Sequence, residues 1–304
     1  MNNKEVIIEV DPRTNEPHHL WEDILAKERI YQPIQNLLSL TEPIKPNYVR
    51  FVCISDTHEK LDELLPQIPA GDVLIHCGDF TNFGDESAIR KFDTEIGLLP
   101  HKYKIVIAGN HELGFEDNED LTLRGEKYIE HGTPEGYKLL KNYNEDLTLR
   151  GEKYIGHGTP EGYKLLKNCI YLHDNSVTVF GIKVYGSSWH PLPGYSFSRE
   201  RGEALLKEWK NIPSDTDILL THTPPLGYLD LFKGERWGCT ELLNTVEYRV
   251  KPKYHIFGHV HEQNGIATNG KTTFINASIC NHDLEIVNKP IIFDIPLPKN
   301  VSKI

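Results

Sequence analysis

Residues Tyr48–His58 read YVRFVCISDTH, an apolar run of strand length that stops abruptly in Asp56, Thr57 and His58. The run is nearly continuous rather than alternating, the pattern of a strand buried on both faces of a helix-covered sheet. The design recurs along the chain. Asp72–Cys77 (DVLIHC) runs into Gly78 and Asp79, and Tyr103–Ala108 (YKIVIA) into Gly109, Asn110, His111 and Glu112. Asp217–Thr221 (DILLT) runs into His222, and Tyr254–Phe257 (YHIF) into Gly258, His259, Val260 and His261. Helical patterns at Ser87–Ile96 and at Arg199–Trp209, the latter capped by Ser198, lie between these runs. Further strands are expected at Val177–Phe180, Ile182–Tyr185, Thr272–Ala277 and Ile291–Ile295. Strands alternating with helices indicate an α/β fold.

Five strand ends therefore each deliver Asp, Asn or His, and ligands of α/β sheets bind at the carboxyl ends of strands. Asp56 and His58 are two residues apart, as are His259 and His261. In extended backbone such pairs point to one side, so each pair can grip one ion. Gly78 and Gly109 precede Asp79 and Asn110, where they permit tight turns and close backbone approach. Two aspartates, one asparagine and four histidines are too many donors for a single tetrahedral ion. With one carboxylate shared, they suit two divalent transition metals about 3.5–4 Å apart. The mixed oxygen and imidazole set favours Mn, Fe, Zn or Co over Ca or Mg.

The rest of the composition narrows the class. The 304 residues are 38% hydrophobic and 25% charged, which excludes a disordered, collagenous or coiled-coil chain. No apolar run approaches the ~20 residues of a membrane-spanning helix. The first apolar patch, Val6, Ile7, Ile8 and Val10, is broken by Glu9 and reads as a short strand rather than a secretory segment. Thirty-three Lys and Arg against 44 Asp and Glu give a net charge of −11. That sign, with no Lys/Arg cluster, argues against a nucleic-acid polymer as partner. Five scattered cysteines without C-x-x-C suit a reduced, cytoplasmic protein with buried thiols.

A repeat interrupts the pattern. Asn118–Asn142 recurs as Asn144–Asn168 with a single change, Glu130 against Gly156, at a period of 26 residues. Two near-identical copies are too few for a solenoid and read as a tandem duplication spanning 118–169. Each copy is expected to close in a helix capped by Thr133 or Thr159, with the extra copy as surface decoration.

The ordered set D-x-H, G-D, G-N-H-E, a lone His and G-H-x-H resembles the calcineurin-like metallophosphoesterase superfamily. The stretches FVCISDTH, YKIVIAGNHEL, PPLG, ELLNTV and TTFINAS are similar to the animal metallophosphoesterase domain-containing proteins, over roughly Asn47 to Pro298. The resemblance implies two mixed β-sheets packed face to face and flanked by helices, an α/β (α+β) sandwich. It implies a domain at 47–304 behind an N-terminal extension at 1–46. It assigns Asp56, His58, Asp79 and His261 to a first metal. Asp79 would bridge to a second, completed by Asn110, His222 and His259; some animal relatives carry glycine at the position of His259. His111 matches the family's acid, positioned beside the substrate.

In the mechanism these residues suggest, two cations generate hydroxide at neutral pH for attack on phosphorus, and His111 protonates the departing alkoxide. Protein phosphatases of the superfamily carry an arginine where Phe83 stands here, in GDFTNFG. Loss of that fork tilts the reading towards phosphodiesters, as cyclic or small nucleotides. The rival readings are a nuclease, disfavoured by charge, and a nucleotide-binding adaptor with low turnover.

Among the other histidines, His18, His19, His101, His173 and His282 are expected in loops or at the surface. His76 and His255 are expected as hydrogen-bonded core groups. His131 and His157 belong to the repeat. Trp189, His190, Tyr195 and Trp237 either stack a nucleobase or pack beneath a loop. Glu112 either orients a neighbour or sits at the surface.

Overall fold

A computed structural model of the chain describes residues 6–35, 38–119 and 156–303. Strands β1 (Gln32–Pro33), β2 (Tyr48–Ile54), β3 (Val73–His76), β4 (Tyr103–Val106), β5 (Ile170–Tyr171), β6 (Asn175–Val179) and β7 (Ile182–Ser187) make up the first half. The second half adds β8 (Ile218–Thr221), β9 (Leu231–Phe232), β10 (Glu235–Arg236), β11 (Tyr254–Phe257), β12 (Gly265–Thr268), β13 (Thr273–Asn276) and β14 (Ile291–Pro296). One sheet runs β14-β2-β3-β4-β5 and the other β1-β12-β13-β11-β8-β7-β6, while β9 and β10 form a separate hairpin.

Each large sheet has a parallel centre, with an antiparallel strand at one edge of the first and antiparallel strands at both edges of the second. β2 through β5 are parallel, with β14 antiparallel to β2. β7, β8, β11 and β13 are parallel, with β6 and β12 antiparallel to their neighbours. The side-chain period of two explains why their runs are apolar throughout. Phe51, Cys53, Val73, Ile75 and Ile105 face Val184, Ile218, Leu220, Ile256 and Ile275 in the layer between the sheets. Their neighbours Val52, Ile54, Leu74 and Val106 turn the other way, into a cluster with Phe92 and Ile96 of the helix Glu86–Gly97. Two mixed sheets packed face to face, flanked by helices, are thus observed. Among the described residues no helix is long and apolar enough to cross a membrane.

Several expectations need correction. Residues 6–10 form no strand: Ile7 stands 81% exposed while Ile8 alone turns inward. The N-terminal segment contributes instead β1, paired with β12, and buries Leu20, Trp21 and Leu25 in the main core. The helix expected from Arg199 starts only at Glu203, after Gly202 at φ +91. Ser198 and Arg199 are held extended by bridging to His190, so Ser198 does not cap. Phe180 is not in β6; with φ +51, beside Gly181 at +74, it makes the turn into β7.

The close of the second repeat copy also differs from its expected helix. It is a single 3-10 turn, Gly162–Leu165, because Thr159 donates its hydroxyl to the Gly84 carbonyl rather than capping, and Glu161 adopts φ +50. Leu166 joins the core, and the Lys167 and Asn168 amides both donate to Asp93 Oδ1. The first copy's Thr133 and His131 lie outside the described residues. Gly156, where the copies differ, has φ +82. Glutamate there would pay about 1–2 kcal/mol for the left-handed backbone. A protein shortened by deleting Asn118–Tyr143 is therefore expected to fold, and Gly156→Glu in that background should lower its unfolding free energy by about 1 kcal/mol. Urea denaturation of the pair checks this; equal midpoints would refute it.

Candidate metal centre

The loops leaving β2, β3, β4, β8 and β11 converge at one edge of the sandwich. Gly78, at φ +92, makes this possible, since a Cβ there would collide with the Gly109 backbone. A Cβ on Gly109 would in turn strike Asp79 Oδ1 and the His222 ring. The two glycines thus let a carboxylate and an imidazole settle against bare backbone.

Asp56, His58, Asp79 and His261 bring one ligand atom each within 4.8 Å of one another, and Asp79, His222 and His259 form a second such group. Asp79 is common to both. Its Oδ2 lies 3.9 Å from His58 Nε2 and 3.2 Å from His222 Nε2. Asn110 Oδ1 is 2.9 Å from His222 Nε2, placing the amide beside the second group. His261 Nε2 is 3.3 Å from Asp56 Oδ1 and 3.4 Å from His58 Nε2. All seven residues singled out from the sequence as ligands meet here.

The route by which the pairs converge is not the extended one expected. Asp56, His58, Asp79 and His259 have φ of +52, +44, +53 and +69. Left-handed backbone at four non-glycine residues costs on the order of 1 kcal/mol each, strain that concentrates at functional sites. Hydrogen bonds lock it in: the Asp56 amide donates to the Gly78 carbonyl, the His58 amide to the Asp79 carbonyl, and the His259 amide to the Asp56 carboxylate.

In three of the four histidines the ring nitrogen facing away from the centre is tied down. His222 Nδ1–H donates to the Cys77 carbonyl at 2.8 Å and His261 Nδ1–H to the Asn281 carbonyl at 2.8 Å. His58 Nδ1 is 3.2 Å from Asn82 Oδ1. These bonds leave each Nε2 lone pair aimed at the carboxylates, the arrangement a divalent metal requires. Ser278 Oγ donates to Asp56 Oδ2 at 2.8 Å. The donor set of carboxylates, an amide oxygen and imidazoles suits two transition ions sharing Asp79.

Charge is balanced by protons when no metal is bound. Burial alone would lower the His222 pKa, but the Asp79 carboxylate outweighs it and lifts the ring to about 9. Burial likewise opposes a charge on His261, and Asp56 overcomes it, again to about 9. Burial and then His111 hold His58 down at about 3, and burial with His222 keeps His259 well below its usual value. Burial also works against the Asp79 charge, yet His222 and His111 keep its pKa well below the carboxylate range.

Both raised histidines stabilise the metal-free fold fully below pH ~6.5, their unfolded value, and lose that contribution as pH climbs through about 9. The melting temperature of the metal-free protein should therefore fall between these limits. Metal binding runs the other way, because it must displace those protons, so apparent affinity should rise steeply up to pH 9. Calorimetry in buffers of different ionisation heat should show up to two protons released below that pH. No proton release would refute the assignment of these two rings as ligands.

Glu112 resolves to the buried alternative. It accepts from the Asp79, Thr81 and Gly109 amides and from the Thr81 hydroxyl, at 2.6–3.0 Å. It thus staples the loop after β3 to the loop after β4. Burial first, and the Asp79 charge second, push its pKa up to about 8. His111 stands at the mouth, its amide donating to Asp79 Oδ1 and its Nδ1–H to the Asn82 carbonyl, which turns Nε2 outward. Ser278, Asn82 and Asn281 were not read from the sequence; the quoted TTFINAS stretch contained Ser278 without showing what it touches.

The cleft above the ligands is walled by Leu192, Pro193, Tyr195, Phe232 and Trp237. Of the aromatic candidates, Tyr195 and Trp237 line it, 5.3 Å from His111 and 5.9 Å from His259 between ring centres. Trp189 and His190 are buried: the Trp189 indole donates to Asp174, and His190 lies behind His259. Phe83 packs on Leu113 and His157. His76 and His255 are core groups bonded to Thr57 and Thr221. His101 lies in the loop before β4, as expected, but buried, with Nε2 against the Pro69 carbonyl. His173 is half-buried against Trp189 and Phe197.

Comparison with known proteins places these features in context. The family model described as Calcineurin-like phosphoesterase matches residues 49–263. The chain is 51% identical over 302 residues to the UPF0046 protein C25E10.12 of Caenorhabditis elegans, covering 97% of each. It is 42% identical over 309 residues to Metallophosphoesterase domain-containing protein 1 of Homo sapiens, covering 97% of this chain and 87% of that protein.

Proposed function

The chain belongs to the calcineurin-like phosphoesterase family, and from that premise we propose that it hydrolyses small phosphodiesters, nucleotides among them, at a dinuclear metal site. The observation that carries the dinuclear reading is Asp79 Oδ2, which faces His58 on one side and His222 on the other. Asp56, His58, Asp79 and His261 would hold one divalent ion, and Asp79, Asn110, His222 and His259 the other. Bound there, the ions supply hydroxide at neutral pH and neutralise charge on the phosphoryl oxygens.

The remaining chemistry is done by the chain's own groups. Glu112 and the strained backbone hold both carboxylates in place before substrate arrives, so little reorganisation is needed during reaction. His111, with Nδ1 committed to the Asn82 carbonyl, presents Nε2 to the cleft and donates a proton there to the departing ester oxygen. No lysine or arginine is among the described residues lining this cleft. A monoester dianion would need one more positive partner than a diester monoanion, which favours the diester.

The test compares bis(p-nitrophenyl) phosphate with p-nitrophenyl phosphate on Mn-loaded protein. The diester is expected to turn over at least about ten-fold faster, and a preference for the monoester or for phosphopeptides would overturn the diester reading. Treatment with EDTA should abolish turnover, with recovery on adding back Mn; turnover surviving complete metal removal would exclude the metal-dependent route.

A further inference from the structure

The candidate metal ligands come from two different sheets. Asp56, Asp79 and Asn110 follow strands of one, whereas His222, His259 and His261 follow strands of the other. The offset between the two sheet edges must be fixed, because a carboxylate and an imidazole that drift apart cannot share an ion.

The stretch that closes β13, Asn276-Ala277-Ser278, makes this connection and supplies no ligand itself. Ser278 bridges to Ser55 beyond the end of β2, and the Ile279 and Cys280 amides donate to the Ser55 and Asp56 carbonyls. Asn276 holds the other side: its side-chain amide donates to the Val260 carbonyl at 2.9 Å, and its Oδ1 accepts from the Ser278 amide at 3.0 Å.

Asp56 lies at the centre of this stitch. Its Oδ2 accepts the buried Ser278 hydroxyl at 2.8 Å, while the His259 amide sits 3.1 Å from Oδ2 and 3.0 Å from Oδ1. An ionised carboxylate can only accept, so the one hydroxyl proton is committed to it. The bare Gly258 backbone closes over the same oxygen, and a Cβ there would collide with it. Oδ1 is the oxygen turned towards His261 Nε2, at 3.3 Å. We propose that Ser278 is a positioning residue for the metal centre. By occupying Asp56 Oδ2, it leaves Oδ1 as the single oxygen offered to the ion shared with His58, Asp79 and His261. The proposal rests on the metal-site reading above and adds the residue that sets how one of its ligands binds.

The consequence is a selection among ions. A carboxylate confined to one oxygen suits a transition ion with few, short bonds. Ca(II) collects about six to eight oxygens and accepts carboxylates through both atoms, so withholding Oδ2 disfavours it. The hydroxyl can be removed without unseating the stretch, since the Ser278 carbonyl still accepts from the Asn264 and Asn288 side chains.

The test is titration of the metal-free protein with Mn(II), free Mn(II) being counted by its electron paramagnetic resonance signal. In Ser278→Ala the affinity of one ion, the one that Asp56→Ala removes, should fall about ten-fold, with the other kept within about two-fold. Competition with Ca(II) should show the Ca-to-Mn affinity ratio rising in that variant. Asn264→Ala takes a hydrogen bond from the same stretch without touching Asp56, and should leave both Mn(II) affinities unchanged. Unchanged affinities in Ser278→Ala would overturn the proposal, as would an unmoved Ca-to-Mn ratio. So would equal weakening of both ions, or the same loss in Asn264→Ala, since either marks a general loosening of the stretch. None of these readouts needs turnover. Inactivity of the Mn-loaded protein on diesters therefore removes the phosphodiesterase reading and leaves Ser278 in its role, whereas absence of Mn(II) binding in the unaltered protein removes both.

Discussion

Asp79→Ala is expected to reduce kcat/KM on any diester by at least about 10³-fold while the protein stays folded. No other described residue belongs to both ligand groups, so its removal weakens both candidate metals together. It also removes the acceptor of the His111 amide, loosening the proton donor. The fold should survive because the carboxylate occupies a loop after β3 and contributes nothing to the apolar layer between the sheets. Asn110→Ala should cost less in metal affinity, since its amide oxygen lies beside His222 only, and turnover should still collapse. Circular dichroism, metal content and steady-state kinetics on the two variants check the prediction. A full rate in Asp79→Ala would end the shared-carboxylate account.

Glu112→Ala should have the largest effect on stability. It strands three buried amides that now converge on the two carboxylate oxygens, and leaves the Thr81 hydroxyl only the His111 carbonyl at 3.3 Å. An unsatisfied buried donor costs about 1–3 kcal/mol, and with partial relaxation the sum should reach about 3–5 kcal/mol. Glu112→Gln keeps an oxygen for Thr81, so it should recover part of the loss. Urea denaturation measures both. A loss under 1 kcal/mol for alanine would show that water replaces the carboxylate and that the staple between the two loops is dispensable.

Much of the site was legible because its residues follow strand signals directly. Asp56, Asp79, Asn110, His222 and His259 each come within three residues of an apolar run, and parallel strands side by side bring those ends together. Position in the chain was enough; backbone conformation was not needed. That is why the spacing of Asp56 and His58 pointed to convergence although its extended-strand rationale fails at φ +52 and +44. Glu112 was ambiguous for the opposite reason. Its meaning depends on three amides from two loops, and no local pattern records that.

The misplaced elements share a cause in tertiary contacts. Ser198 had the chemistry of a helix cap, but bridging to His190 claimed its backbone. Thr159 had it too, and the Gly84 carbonyl claimed its hydroxyl. The N-terminal patch had strand propensity and found no partner strand among the described residues, while Trp21, further along, is buried against Gly227. His282 read as a surface residue and is one.

The central claim is that one carboxylate joins two metal sites. Electron paramagnetic resonance during titration of the metal-free protein with Mn(II) tests it most directly. The account predicts saturation at two equivalents per chain with an exchange-coupled pair signal, lost in Asp79→Ala. Saturation at one equivalent, or two equivalents giving only isolated Mn(II) spectra, would contradict it.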